Sequence, residues 1–140
     1  MPIHSAPIHS APTPSAPSAA DIVRSAGRGV ACPAGCRRAH SYTPSGERWC
    51  WRPGTAAPGA IDVEATDGAP PPHLLRRLGT TERRFWPTWT RLEVIAKLTD
   101  TPVLTLLHTA GPHPAAPKGF RLEHFRVGEY LCCVAWKETR

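Results

Sequence analysis

TRLEVIAKLT, residues 90–99, is the stretch on which the fold class turns. Leu92, Val94, Ala96 and Leu98 alternate with Arg91, Glu93 and Lys97, and Ile95 alone is out of step. A period of two is that of a strand with one buried face, whereas a helical reading gathers only Leu92, Ile95 and Ala96. The alternation therefore predicts a strand. Downstream, Asp100-Thr101-Pro102 supplies turn chemistry, and VLTLLHT (103–109) reads as a second strand. A Pro/Gly loop over 110–119 leads to FRLEHFRV (120–127), a turn at Gly128, and YLCCVAW (130–136). Four strands with short connections predict an antiparallel meander.

Upstream the signals are helical. Pro70-Pro71-Pro72 opens HLLRRL and Gly79 follows it, the order of residues that begins and ends a short helix. Thr80 or Thr81 starts a second helix that Pro87 stops. Residues 61–64 alternate as a short strand, 66–68 read as a turn, and 21–28 as a turn or two of helix ended by Gly27 and Gly29. The expected fold class is α+β and β-rich: a C-terminal antiparallel meander of about four strands, with one or two short helices covering it. A small Cys/His loop region and a disordered Pro-rich N-terminus precede it.

That N-terminus, residues 1–20, is a decaying repeat (PIHSA, PIHSA, PTPSA, PSAA) with no charge before Asp21. Such a composition predicts extended, solvated chain, with a docking arm for a protein partner as the alternative. The expected organisation is an arm over 1–20, a Cys/His region over 21–54 and an α+β domain over 55–140. The arm lacks the basic start and apolar run of a signal peptide, and no apolar stretch has the ~20 residues of a membrane span. The expectation is a soluble, intracellular protein in a reducing compartment. There five cysteines serve as ligands or buried thiols rather than as disulfides.

The most informative motif is CPAGCRRAHSYTPSGERWC, residues 32–50. Cys32, Cys36, His40 and Cys50 offer three thiolates and an imidazole, a donor set suited to tetrahedral zinc. Pro33 and Gly35 favour a tight turn between the first two sulfurs, and the 43–46 turn brings Cys50 back. Four protein ligands leave no position for water, so the expected zinc is structural. In the alternative reading the cysteines are ordinary thiols and His40 is simply exposed. A variant draws one ligand from Cys132 or Cys133.

Charge points the same way as the motif. The chain carries +6, and 14 of its 17 basic residues are arginine, the side chain that grips phosphate with a planar fork. Arginine bias also accompanies an Ala-, Pro- and Gly-rich composition with no function attached. Arg37, Arg38, Arg48 and Arg52 interleave with Trp49, Trp51 and Tyr42, a mixture suited to phosphate contact and base stacking. The same tryptophans read equally well as a small core rimmed by arginines. A second basic cluster, Arg76, Arg77, Arg83 and Arg84, lies on the expected helices. These features predict a basic accessory or regulatory protein that binds nucleic acid, DNA or RNA, without catalysis. An adaptor acting on a protein through the Pro-rich arm or the leucines at 74, 75 and 78 is the alternative. A Cys–His enzyme using His108 or His124 with Cys132 or Cys133 is a third, lacking any glycine-rich loop, nucleophile elbow or useful carboxylate pair.

Overall fold

The computed structural model describes residues 22–25, 40–51 and 57–138. The fold is α+β: β1 (Ile22–Ser25), β2 (His40–Tyr42), β3 (Arg48–Trp51), β4 (Ala57–Ala65), α1 (Pro72–Leu78), α2 (Glu82–Leu98), α3 (Val103–Ala110), β5 (Phe120–Val127) and β6 (Tyr130–Lys137). The strands form two antiparallel sheets, ordered β4-β6-β5 and β1-β3-β2.

Two expected strands are helices. Residues 90–99 lie in and just beyond α2, and 103–109 lie in α3. The alternation at 92, 94, 96 and 98 is produced by a helix buried over a wide arc. Leu92 packs with Phe85, Trp89 and Leu107 on one side, while Val94 and Leu98 pack with Ala60, Cys133 and Ala135 on another. At 100° per residue these two ridges are offset by two positions and mimic a period of two. Ile95, the misfit of the strand pattern, lies between them and is fully buried. In α3, Val103, Leu106 and Leu107 share the face turned toward α2, a 3.6-residue spacing hidden in a short apolar run.

Pro87 does not stop α2. Losing one helical hydrogen bond there costs about 3 kcal/mol, an amount that the burial of Phe85, Trp89 and Leu92 on either side offsets. Pro72 and Gly79 do bound α1, with Gly79 at φ 62 donating to the carbonyls of Leu75 and Arg76. Residues 22–25 are a strand rather than a helix, because β3 offers them an edge to pair with.

The central sheet buries both faces. Ile61, Val63, Cys132 and Val134 point one way and enclose Trp49 and Trp51 from β3. The alternate positions Ala60, Cys133 and Ala135 meet α2. Residues on both sides of position 54 thus share one core. Gly59 sits at a bulge in β4, where a Cβ would lie 2.1 Å from the Ala135 carbonyl oxygen, so only glycine fits.

Candidate functional site

Of the proposed zinc ligands, Cys32 and Cys36 lie outside the described residues, as do Arg37, Arg38 and Arg52 from the arginine set. His40 and Cys50 are directly opposite each other across the β2–β3 pair. Opposed residues in an antiparallel pair share a face, with Cα atoms about 4.5–5.5 Å apart, so these two donors are neighbours. Trp49 and Trp51 occupy the alternate positions facing the central sheet, which puts His40 and Cys50 on the face turned away from it. Among the described residues no three His, Cys, Asp or Glu side chains come together as a metal site. Cys132 lies on the β3-facing side of the central sheet and Cys133 on the α2-facing side.

The expectation that Trp49 and Trp51 stack on bases is corrected by their placement. Trp49 is 1% exposed and Trp51 0%. Trp49 packs on Tyr130 at 5.0 Å between ring centres, and Trp51 meets Trp136 at 6.1 Å. No ring face is left for a base. Nearby aromatic β-strand residues and the facing sheet claim both indoles, a tertiary contact invisible in the local sequence.

The arginines are better placed. Arg76 and Arg77 are exposed in the last turn of α1, and Arg83 and Arg84 are exposed in the first turn of α2, two helices joined at Gly79–Thr81. Among the described residues none of these four guanidiniums has an ion pair or side-chain hydrogen bond. Arg77 also lines a recess of about 240 Å³ with Leu104, Leu107 and His108 of α3. The leucines at 74, 75 and 78 pack within the chain. Leu78 is buried, and Leu74 and Leu75 pack against the same cluster as Phe85 and Trp89.

Arg48 is half-buried, and its guanidinium donates to the Tyr42 hydroxyl from Nη2 at 2.6 Å and from Nε at 3.0 Å.

Asp62 and Glu64 lie two apart in β4 and so share one face of the strand. The structure turns them inward, toward α2. Lys97 donates from Nζ to the Ile61 carbonyl at 2.7 Å and to Asp62 Oδ1 at 3.2 Å, and Ser41 Oγ donates to the same oxygen at 3.5 Å. Asp62 Oδ2 is buried with no hydrogen-bond partner among the described residues. Burial raises the Asp62 carboxyl above its ordinary range and outweighs the attraction of Lys97. Glu64 is pushed up to about 7, by burial first and then by the nearby Asp62 and Glu93 carboxylates. Burial and Asp62 raise Glu93 too. Lys97, about a third exposed, ties α2 to β4 through the Ile61 carbonyl and the Asp62 carboxylate. The signal that would have found this tie is the pairing of Lys97 with a carboxylate on the facing sheet, 35 residues away in sequence, which no local window contains.

Asp62, Cys133 and His124 form a row across the three central strands. His108, by contrast, belongs to α3 rather than to a neighbouring strand. The row faces α2, and its chemistry is quiet. Burial pushes the thiols of Cys132 and Cys133 up to about 12, so both stay protonated near neutral pH. His124 Nε2 is 3.1 Å from the Pro87 carbonyl and 3.0 Å from Thr90 Oγ1. The carbonyl can only accept, so Nε2 carries the proton and fastens β5 to the proline turn of α2. Burial lowers the His124 pKa, with the Pro87 hydrogen bond opposing and Arg91 assisting.

Among the described residues no helix is long and apolar enough to cross a membrane. The chain matches no protein-family model, no curated protein and no solved structure.

Proposed function

We propose that this chain is a non-catalytic, basic accessory protein that binds nucleic acid through arginines displayed at the α1–α2 corner. The observation that carries this reading is that Arg76 and Arg77 in the last turn of α1, and Arg83 and Arg84 beside Glu82 in the first turn of α2, are all exposed and form no ion pair among the described residues. Two of them work against helix stability. Cations in a first helical turn oppose the helix dipole by roughly 0.3–1 kcal/mol each. Their placement beside the two arginines ending α1 concentrates positive potential where a phosphate backbone can use it. The protonated thiols of Cys132 and Cys133 favour this reading over Cys–His catalysis.

The test is binding of the full chain to fluorescein-labelled oligonucleotides, followed by anisotropy over a range of salt. Reversing all four arginines to glutamate is expected to weaken binding and to flatten the dependence of log K on log salt by about 3 for a single strand. Unchanged affinity and slope would move the surface elsewhere or remove it.

Zinc belongs to the same proposal as a brace for the β2–β3 hairpin, held by Cys32, Cys36, His40 and Cys50. Support comes from the adjacency of His40 and Cys50 on one face. Elemental analysis of the purified chain is expected to give about one zinc per molecule, lost in Cys32→Ser with loosening of the hairpin. A metal-free chain with the same fold and stability would contradict it.

A further inference from the structure

We propose that Tyr42 is the base-stacking platform of this protein and that its ligand is single-stranded nucleic acid; the inference rests on the nucleic-acid reading above. Among the described residues Tyr42 is the most exposed of the Phe, Tyr and Trp side chains, at 52%. It lies on β2 at the position alternate to the buried Ser41, on the hairpin face turned away from the central sheet. Its neighbours there are the side chains of Arg48 and His40. The Arg48 guanidinium lies 5.2 Å from the ring centre, besides donating twice to the hydroxyl. The His40 ring meets that of Tyr42 edge-on at 5.6 Å and 82°.

These contacts fix the ring, while the residue as a whole stays about half exposed. A fixed aromatic offers stacking area at little cost in side-chain freedom, and the Arg48 guanidinium beside it holds the ring in place. Bases within a duplex already have both faces stacked, so a lone exposed ring suits an unpaired strand. The tryptophans cannot take this part, because Trp49 and Trp51 are enclosed on the opposite face of the same hairpin.

The experiment compares the full chain with Tyr42→Ala and Tyr42→Phe, binding fluorescein-labelled oligo-dT and a blunt duplex of equal length at several salt concentrations. Tyr42→Ala is expected to weaken single-strand binding about 5- to 150-fold, the range of one stacked base. Duplex binding and the salt slope should not change, and Tyr42→Phe should retain most of the single-strand affinity. Circular dichroism confirms that each variant folds. Equal affinity of wild type and Tyr42→Ala for oligo-dT would overturn the platform while leaving the arginine corner intact. Equal losses on both ligands would overturn it as well, since an unpaired base would not be what the ring reads. Absence of binding by the wild-type chain to either ligand would overturn the nucleic-acid reading together with this one.

Discussion

Trp51→Ala is expected to lower the stability of the fold by about 3–5 kcal/mol, read as a lower urea midpoint with little change in slope. The indole is fully buried between β3 and the central sheet, among Ile61, Val63, Cys132 and Val134. Removing it leaves a cavity that a sheet already packed against α2 on its other face cannot close. Small domains are typically stable by about 5–15 kcal/mol, so the variant sits near the margin. Tyr42→Ala, an exposed truncation on the same hairpin, should stay within about 0.5 kcal/mol of wild type. If Trp51→Ala kept its midpoint and lost only nucleic-acid binding, the indole would be a surface group and the packing described here would be wrong.

The dependence of stability on pH should consist of two opposing limbs. Glu64 has a folded value of about 7 against an ordinary 4.5, so between these pH values the folded chain holds the proton more tightly than the unfolded chain. Stability therefore falls as pH rises through that window and levels off above it. Asp62 and Glu93 are raised as well and contribute with the same sign. His124 acts oppositely. Its folded pKa lies below the ordinary 6.5, so as pH falls under 6.5 the unfolded chain takes the proton first and stability drops. Glu64→Gln, which imitates the protonated carboxyl, should shrink the falling limb by about 1–2 kcal/mol after allowance for the water that Glu64 reaches. His124→Gln should leave the falling limb more prominent. A Glu64→Gln profile superimposable on wild type would place Glu64 in solvent.

The elements legible from residues alone are those that carry their own punctuation. Pro72 and Gly79 bracket α1, Gly128 at φ 59 reverses β5 into β6, and the turn at 43–46 closes with Gly46 at φ 86. Each is a backbone restriction acting within a few residues. The stretch at 90–99 imitates a strand because α2 buries two sides at once. A helix that packs against a sheet and against two other helices is apolar over most of its circumference, and the phase of a wide arc cannot be recovered from a window of ten. Ile95 was the clue, since an alternating strand has no place for it.

The candidate surface divides in the same manner. Residue type and exposure are foreseeable for Arg76, Arg77, Arg83 and Arg84, because a charged guanidinium at a helix end stays in water. For Trp49, Trp51 and Tyr42 the sequence offered three aromatics within ten residues and no means of ranking them. The sequence by itself determined the basic character, the short helix at 72–78 and the final hairpin. Tertiary structure decided that two indoles face inward while one phenol faces out, and that Asp62 meets Lys97. Burial is settled by what lies across the layer, and alternation along a strand distinguishes two faces without saying which one is covered.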